Sequence, residues 1–419
     1  MCQKQRTSIS TLLGKRSIIL HPFSLLSIPR NMSRTELGFL VSSEEGWRIW
    51  DCAKFGGKPF WLIPDAIPEC SDLTCPYCQK PLCFMLQLYN PCEENPDAYH
   101  RCIYVFVCQN QDCLEKGSIK VLRCQLPRKN KYYPEDLDSF VGSDYFNAQS
   151  PASPFHYGNH LCCVCGVKAS SKCAKCNTYY CCRDHQVAAW RNGHKESCGK
   201  GAQDLATLYR DDAFCPDVQF PLWEVDMVPE PEPTKEEVAS EQSQLERIRA
   251  MNLGDEPVQL TDQDIRDALG GRLEDDPVRL HFNKVIERAN LQVLRVNRWN
   301  NDAILWANKD TKADLAAIPP CPYCGKERKF EFQIMPQLIY LLGTDPEAAK
   351  TKYPEIDFGS LVVFTCCESC AHILDEERRL LHSVDAETPY KEEYGYFHSH
   401  YSKKDIEDVK NQLASLTSS

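Results

Sequence analysis

Apolar and polar residues alternate with a period of two along two distant segments of the chain. The alternating apolar residues are Leu82, Phe84, Leu86 and Leu88 in the first segment and Phe330, Phe332 and Ile334 in the second. A period of two predicts a β-strand with one buried face. Each segment is followed by a continuous apolar run, at residues 103–108 and 361–366, which predicts a second, fully buried strand.

Both pairs of predicted strands belong to an internal repeat. The motif Cys-Pro-Tyr-Cys stands at residues 75–78 and again at 321–324, and the similarity continues without a gap into the alternating segment. A tryptophan precedes each copy, Trp61 in the first and Trp306 in the second. This self-similarity indicates one β-rich structural unit that occurs twice. We expect the two units to pack on each other.

Changes in composition divide the chain into seven segments. They are a basic extension that we expect to be disordered (1–34), a first β unit (35–134), a linker (135–158), a compact Cys/His block (159–199), an acidic linker (200–277), a second β unit (278–400) and a tail (401–419). The acidic linker is predicted to contain a strand near 220–225 and a helix for which Thr234 is the N-cap. A further helix is predicted at 278–291.

The N-terminal extension has two interpretations. It contains six basic residues and no acidic residue, and it is rich in serine and threonine. This composition is that of a mitochondrial transit peptide. The interpretation that we favour is an optional extension ahead of a second start at Met32, because the pattern of an ordered domain begins near Glu36.

Cysteine is the residue type that stands out in the composition. The chain has 25 cysteines in 419 residues, and its first 34 residues lack the continuous apolar stretch of a signal peptide. Cysteines outside an oxidising compartment bind metal more often than they form disulfides. No uncharged apolar run approaches the ~18 residues that a membrane span needs. The sequence therefore predicts an intracellular zinc protein without a membrane segment.

The balance of charges limits the expected partners. The chain has 59 acidic and 48 basic residues, which give a net charge of -11. Such a chain is a poor non-specific binder of nucleic acid, so direct nucleic-acid binding is not expected. A basic protein is the expected partner, because opposite charges steer the encounter. The acidic stretch 224–276 either attracts this partner or is a solvated linker.

The Cys-Pro-Tyr-Cys motif has two chemical interpretations. It looks like the redox motif of glutaredoxins, but that chemistry needs a helix that begins at the motif, whereas strand patterns follow here. A second cysteine pair follows each copy, and two such pairs suit tetrahedral zinc with Zn–S distances of about 2.3 Å. We therefore predict one closed, structural zinc site in each β unit. The predicted ligands are Cys75, Cys78, Cys108 and Cys113 in the first unit and Cys321, Cys324, Cys366 and Cys370 in the second, with Cys367 as a competitor of Cys366.

The Cys/His block carries eight potential ligands between residues 162 and 198, which is enough for two zinc ions. Their spacing resembles a MYND zinc finger, and this resemblance implies interleaved ligation. The implied ligands are Cys162, Cys165, Cys181 and His185 for one ion and Cys173, Cys176, His194 and Cys198 for the other. Two departures from the usual pattern are the histidine at 185, where cysteine is usual, and the eight rather than seven residues that precede His194.

The MYND resemblance also implies a binding groove for proline-containing peptides. Gln186 and Trp190 lie on the predicted helix after Cys181 and are the candidates for this surface. The interpretation that we favour is that Trp190 packs into the core of the finger, because a domain of this size needs every large apolar residue that it has. Cys163 and Cys182 are adjacent to predicted ligands and are not expected to bind metal.

The whole layout resembles the programmed cell death protein 2 family over about residues 36–400. The segments that carry the resemblance are 36–39 (Glu-Leu-Gly-Phe), 56–59 (Gly-Gly-Lys-Pro), the first Cys-Pro-Tyr-Cys motif, 100–101 (His-Arg), 125–130, the MYND block, 330–338 and 364–370. The resemblance implies a dedicated chaperone or adaptor for one basic small-subunit ribosomal protein. It also implies a role in small-subunit assembly in the cytoplasm and nucleus.

These patterns together predict an α+β, β-rich fold. Two related zinc-stapled β units pack together in this prediction, with a MYND zinc finger inserted between them and an acidic, partly helical linker. No phosphate-binding loop, dinucleotide-binding glycine pattern, HExxH or GxSxG motif is present, so no enzymatic activity is expected. The alternative function is a MYND-type transcriptional cofactor or interaction scaffold, linked to apoptosis or the control of proliferation.

Overall fold

The computed structural model describes residues 34–41, 53–136, 142–200, 215–253, 276–344, 356–370 and 388–401. The strands in these ranges are β1 (Glu36–Val41), β2 (Ala53–Phe55), β3 (Cys83–Tyr89), β4 (His100–Val107), β5 (Ile119–Leu126), β6 (Ser171–Lys172), β7 (Tyr179–Tyr180), β8 (Trp223–Pro229), β9 (Gln292–Val296), β10 (Arg328–Ile334), β11 (Ser360–Cys366) and β12 (Lys391–His398). The α-helices are α1 (Gln111–Glu115), α2 (Arg183–Ala189), α3 (Lys195–Ser197), α4 (Lys235–Leu253), α5 (Pro277–Arg288) and α6 (Gln337–Thr344). The expectation of a disordered extension falls on residues 1–33, outside the described ranges, as do residues 402–419 of the tail.

Ten of these strands close into a β-barrel. Around the barrel their order is β1-β8-β2-β3-β4-β5-β12-β11-β10-β9, and β9 pairs with β1 again. Every neighbouring pair is antiparallel. Closure leaves the ladder without a free edge, which a sheet of this size would otherwise have to protect. The prediction of a β-rich fold is therefore confirmed.

The barrel has an internal two-fold pattern that follows the sequence repeat. Starting from the neighbours β5 and β12, the order reads β5-β4-β3-β2-β8 in one direction and β12-β11-β10-β9-β1 in the other. The strands of the two repeats therefore take equivalent places in a single sheet. This differs from the expected pair of separate units packed together, because the two repeats join edge to edge through the β5–β12 ladder.

A β-bulge at the same point of each repeat corrects the predicted strand faces. Pairing shifts between Phe84 and Leu86 in β3, and between Phe330 and Phe332 in β10. Phe84 and Phe330 pack outside the barrel core that contains Leu86 and Phe332. The prediction of one buried face along each alternating segment was thus wrong, because a bulge adds one residue and moves the following side chains to the other face.

The inside of the barrel is apolar over most of its length. Ile103 and Val105 of β4 pack there with Leu294, Phe332 and Val363 from β9, β10 and β11. All five side chains are at most 3% exposed. Strands of both repeats contribute to this one core, so the free energy gained by apolar burial binds the two halves to each other.

Beside the apolar layer, the two repeats share a buried ion pair. The guanidinium of Arg101 in β4 forms two bonds to the carboxylate of Glu331 in β10, at 2.6 and 3.0 Å, and neither side chain is exposed. Burial alone would raise the pKa of Glu331, but Arg101 outweighs it and lowers this pKa to about 2. Removing one partner of such a pair leaves an uncompensated buried charge, which costs ~3–5 kcal/mol.

Gly38 in β1 explains why the first strand fits between β8 and β9. A Cβ atom at this position would lie 2.6 Å from Cγ1 of Val225 and 2.9 Å from Cβ of Leu294. Side chains at these distances overlap, so only glycine lets β1 approach both neighbours. The barrel therefore closes through a strand whose sequence is adapted to that place.

The Cys/His block lies directly against the outer face of the barrel. The indole of Trp61, which is fully buried, donates a hydrogen bond to the backbone oxygen of Gly166 at 2.7 Å. The backbone amide of Lys168 donates to the oxygen of Pro68 at 3.0 Å. Between barrel and block, residues 142–158 contribute the buried ring of Tyr145. The block therefore shares a core with the barrel.

The two longest helices, α4 and α5, begin within one residue of the predicted positions. Thr234 accepts a hydrogen bond from the amide of Glu237 and donates its own amide to the Glu237 carboxylate, so the two residues form a capping box at the start of α4. Asp276 accepts from the amide of Val278 and caps α5. Within the described residues, no helix combines the length and apolar character of a membrane span.

We predict that His398 makes the barrel sensitive to mild acid. Its Nε2 accepts a hydrogen bond from the amide of Ala307 at 2.7 Å, and Nδ1 lies 2.9 Å from the oxygen of Thr311. Burial lowers its pKa from 6.5 to about 4. Below pH 6.5 the unfolded chain therefore binds a proton at His398 that the folded chain does not bind. The free energy of unfolding falls by about 2 kcal/mol between pH 7 and pH 5.

Urea unfolding of the wild type and of His398→Gln at pH 7 and pH 5 measures this effect. Glutamine keeps an acceptor and a donor but does not titrate, so the variant should lose less stability than the wild type over this interval. An equal loss in both proteins would show that other groups cause the acid sensitivity.

Candidate metal centres

The first tetrad gathers thiols from one turn, the end of a strand and a short helix. Cys75 and Cys78 lie in the turn before β3, Cys108 follows β4, and Cys113 lies in α1. All four sulfur atoms lie within 4.8 Å of one another, and those of Cys78 and Cys108 are 3.6 Å apart. A tetrahedral Zn²⁺ with four thiolates needs sulfur atoms about 3.8 Å apart. The donor set and its spacing therefore fit zinc.

Backbone and hydroxyl donors surround the first of these thiols. Ser118 Oγ donates to the sulfur of Cys75 at 3.0 Å, and the amide of Cys78 donates to the same sulfur at 3.5 Å. Burial acts to raise the pKa of Cys75, but these donors stabilise the thiolate and lower the pKa to about 6. Deprotonated sulfur is the form that binds metal.

The second tetrad repeats this arrangement in the other half of the barrel. The sulfur atoms of Cys321 and Cys370 are 3.7 Å apart, and those of Cys324 and Cys366 are 3.5 Å apart. Cys366 ends β11 and belongs to the group, whereas Cys367 lies outside it. The structure thus places the four predicted thiols together and chooses between the two adjacent cysteines as the sequence repeat does.

The Cys/His block holds two more groups, which interleave along the chain. In the first, the sulfur of Cys165 is 3.5 Å from that of Cys181, and Nδ1 of His185 is 3.1 Å from the Cys181 sulfur and 3.7 Å from that of Cys162. The atoms of this group lie within 4.8 Å of one another. His185, which replaces a usual cysteine, therefore still presents a ring nitrogen to the other three ligands.

The second group of the block combines Cys173, Cys176, His194 and Cys198. Nε2 of His194 is 3.6 Å from the sulfur of Cys176, and the sulfur atoms of Cys173 and Cys198 are 3.7 Å apart. A hydrogen bond with His194 is the main cause that lowers the pKa of Cys173 to about 6. The chain order of the two groups matches the interleaving that the MYND resemblance implies.

The same backbone turn presents the first cysteine pair in three of the four groups. Each turn has a hydrogen bond back to the first cysteine oxygen and a residue with positive φ after the second cysteine. The amide-to-oxygen distances are 3.0 Å (Gln79 to Cys75), 2.9 Å (Gly325 to Cys321) and 2.9 Å (Gly166 to Cys162). No helix begins at either Cys-Pro-Tyr-Cys motif, so the geometry lacks the helix N-terminus on which glutaredoxin chemistry depends.

Sequence reasoning missed two thiols beside the block. Cys70, which lies just before the first tetrad, and Cys182 both lie within 4.8 Å of the Cys181 sulfur and of each other. Cys182 was recognised only as a neighbour of a ligand, and Cys70 has no motif around it that could have drawn attention to it. Three-dimensional proximity of the barrel and the block brings these thiols together.

Trp190 lies at the end of α2 on the outside of the block. Its side chain is 43% exposed, and its ring packs against His194 at a centroid distance of 5.7 Å. Val187, one turn earlier, is 38% exposed, while Gln186 is half-buried. The indole therefore contacts a predicted ligand on one side and leaves a large apolar surface open on the other.

Within the described residues, the fold is a closed β-barrel with four clusters of cysteine and histidine side chains, each with four potential ligand atoms that could hold a metal ion. Two family models match the chain: the N-terminal domain of programmed cell death protein 2 at residues 34–139 and its C-terminal domain at 276–394. The chain belongs to the programmed cell death protein 2 family, which confirms the resemblance seen in its motifs.

Similarity to individual relatives extends over most of the chain. Programmed cell death protein 2 of Bos taurus is 34% identical over 80% of this chain and 92% of its own length, and that of Mus musculus is 32% identical over the same shares. Programmed cell death protein 2-like of Homo sapiens is 25% identical over 78% of this chain and 88% of its own length. No solved structure is significantly similar to the chain.

We predict that Cys366 and the adjacent Cys367 respond differently to substitution. Cys366→Ser removes one of four thiolates from the second tetrad, so bound zinc should fall by about one ion per chain from an expected four. Cys367→Ser is the matched control and should retain all four ions. Zinc measured by inductively coupled plasma mass spectrometry on purified proteins decides between the two, and the opposite pattern would assign Cys367 as the ligand.

Substitution of Cys75 separates structural zinc from dithiol chemistry. If the tetrad holds metal, Cys75→Ser removes one zinc ion and lowers the melting temperature, because metal binding contributes to the free energy of folding. If the motif is a redox dithiol, the variant keeps its stability and loses only glutathione-dependent reductase activity. Scanning calorimetry and a reductase assay on wild type and variant measure both quantities.

Proposed function

We propose that the four clusters hold structural zinc and that the chain is a non-enzymatic chaperone or adaptor dedicated to one basic small-subunit ribosomal protein. Two ions would occupy a MYND-type double finger at residues 159–199, inserted between the repeats, and one ion would occupy each tetrad. Four protein ligands leave no open coordination position, which is typical of structural zinc. The proposed places of action are the cytoplasm and nucleus during small-subunit biogenesis.

Membership of the family and the acidic character of the chain support this proposal. A ribosomal protein is basic and needs its charge neutralised until it meets RNA. A chain with a net charge of -11 can shield such a client and later release it, because RNA offers a stronger field. The observation that carries the proposal is the set of exposed carboxylates at Asp226 on β8 and at Glu236, Glu237 and Glu246 on α4.

Ion pairs within the chain limit which acidic residues are available to bind a client protein. Glu230 already binds Arg295 at 2.8 Å, and Glu241 lies 3.8 Å from Arg288, so part of the acidic stretch is neutralised within the chain. Asp226 on β8 and Glu236 on α4 are exposed. We therefore assign client recognition to exposed carboxylates of this kind, and an internal structural role to Glu230 and Glu241.

A second candidate function is that of a MYND-type transcriptional cofactor or interaction scaffold linked to apoptosis or proliferation. The exposed apolar surface of Val187 and Trp190 favours it, because an open apolar strip on a helix is suited to peptide contact. A proline-containing peptide is the ligand class that the MYND resemblance implies. Programmed cell death in the name of the relatives is the other ground for this candidate.

Affinity purification with quantitative mass spectrometry distinguishes the two functions. In one variant Asp226 and Glu236 become Asn and Gln, together with the other acidic residues of 224–276 except Glu230, Glu241 and the helix caps Glu237 and Asp276. We expect recovery of one small-subunit ribosomal protein to fall by ~10-fold or more, which corresponds to about 1.4 kcal/mol. Trp190→Ala is the matched control and should retain this protein.

The reverse pattern would overturn the chaperone proposal. If Trp190→Ala loses the main partners while the neutralised variant keeps them, the cofactor function is favoured instead. Purification at raised salt adds a second criterion, because binding between exposed charges weakens when salt screens them. Zinc content of each sample shows that the variants remain folded around their metal sites.

A further inference from the structure

The loop between the last two thiols of the second tetrad, Cys366–Cys370, is hydrogen-bonded to strands of the first repeat. Its backbone oxygen at Ser369 accepts a hydrogen bond from Gln125 Nε2 at 2.9 Å, and Ser369 Oγ accepts from Arg101 Nε at 3.1 Å. Ser369 is fully buried. Both donors belong to β4 and β5 of the first repeat, whereas the loop belongs to the second repeat. Residues of the first repeat thus form hydrogen bonds to the Cys366–Cys370 loop of the second repeat.

Arg123 of β5 is the residue that reaches the thiol itself. Its Nη1 donates to the backbone oxygen of Cys370 at 3.2 Å, and its Nη2 donates to the Cys370 sulfur at 3.5 Å. Its Nε donates to Glu393 of β12 at 2.6 Å, so the guanidinium has a fixed orientation. The side chain of Arg123 is completely buried. A planar, permanently charged group with several directed donors is suited to this position.

Glu393 connects this arginine to a second ligand of the tetrad. Its Oε2 accepts a hydrogen bond from the amide of Cys366 at 3.1 Å, while its Oε1 accepts from Arg123. Arg328 contributes a further bond to Glu393 at 3.0 Å. The chain Arg123–Glu393–Cys366 therefore fixes one thiol, and the direct contacts of Arg123 fix another. Both thiols lie at the two ends of the Cys366–Cys370 loop.

Opposite charges strengthen the contacts between these basic side chains and the second tetrad. A zinc ion with four thiolates carries a formal charge of about -2, since Zn²⁺ meets four negative sulfur atoms. The ammonium of Lys391 lies 3.9 Å from the Cys370 sulfur, on the same thiol that Arg123 contacts. Cationic N–H donors to a thiolate are charge-assisted and stronger than neutral ones. In the first tetrad, the Cys75 sulfur accepts instead from the neutral hydroxyl of Ser118, in its own repeat.

We propose that Arg123 of the first repeat is a positioning residue for the second tetrad. The second tetrad retains its metal only while the hydrogen bonds from Arg123 to Cys370 are in place. The first tetrad takes its donor to Cys75 from its own repeat. The second repeat bonds to its α1 segment through Gln111 and Asp357, at 2.8 and 2.9 Å, and these two hydrogen bonds do not involve a thiol. Retention of metal at the second tetrad therefore depends on the contact between the two repeats that closes the barrel. This proposal rests on zinc in the tetrads and is independent of the client.

The test compares four variants of the full-length protein. Arg123→Met removes the positive charge and the hydrogen-bond donors. Arg123→Lys keeps the charge but lacks the planar guanidinium donors. The double variant Arg123→Met with Glu393→Gln removes both charges of the buried pair. Loss of a buried partner can unfold a protein by itself, and the double variant avoids leaving Glu393 without Arg123. Because Glu393 also bonds Arg328 and the amide of Cys366, Glu393→Gln alone is the matched control that shows how much of the effect comes from Glu393. Circular dichroism at equal temperature shows which variants are folded.

Metal lability is measured for each site separately. The zinc-loaded proteins are treated with a chelator, and cysteines released over time are alkylated with N-ethylmaleimide and identified by mass spectrometry. In the double variant we expect Cys321, Cys324, Cys366 and Cys370 to be alkylated ~10–100-fold faster than in the wild type, the range found when outer contacts of metal ligands are lost. Arg123→Lys should give an intermediate rate.

The first tetrad is the internal control, and its thiols Cys75, Cys78, Cys108 and Cys113 should keep their wild-type rate in every folded variant. Wild-type protection of the second tetrad in the double variant would overturn the proposal, as would equal acceleration at both tetrads. Absence of zinc from the second tetrad of the wild type would instead reject the zinc assignment on which the proposal rests.

Discussion

The antiparallel pairing of β5 with β12 is the contact on which the rest of this structure depends. It joins the last strand of one repeat to the last strand of the other, with Arg123 opposite Lys391. Together with the β1–β8 ladder it closes the ten strands, and inside the closed barrel Arg101 and Glu331, from different repeats, lie within bonding distance. A charge buried in this way tolerates little displacement, because its partner cannot be replaced by water.

The cysteine clusters and the barrel are parts of one architecture. Each tetrad brings the turn before one strand together with the segment that follows the next strand, so its four thiols lie at one end of two neighbouring strands. The Cys/His block is bound to the barrel through Trp61 and Lys168 rather than carried on a free linker. A partner that contacts the block therefore contacts a surface whose orientation to β8 and α4 is set by the fold.

Much of this arrangement is readable in the sequence because it is local. Spacing and repetition grouped the eight thiols of the two tetrads, and the MYND resemblance implied the grouping of the eight residues in the Cys/His block; both groupings match the clusters in the structure. The helix cap at Thr234 is local in the same sense. The bulges at Phe84 and Phe330 were not foreseen, because a period of two assumes an uninterrupted ladder. The pairing of β5 with β12 and the contacts of Arg123 with Cys370 join residues that are far apart in the chain. A single sequence carries no signal for such contacts.

The exchange of β1 and β8 between the halves has a consequence for synthesis. The first strand of the barrel, Glu36–Val41, pairs with Trp223–Pro229 on one side and Gln292–Val296 on the other. At translation rates of ~5–20 residues per second, this strand waits on the order of 10–40 s before either neighbour leaves the ribosome. During that interval two unpaired edges are exposed, which favours protection of the nascent chain by other factors and makes any product that ends before Trp223 prone to aggregate.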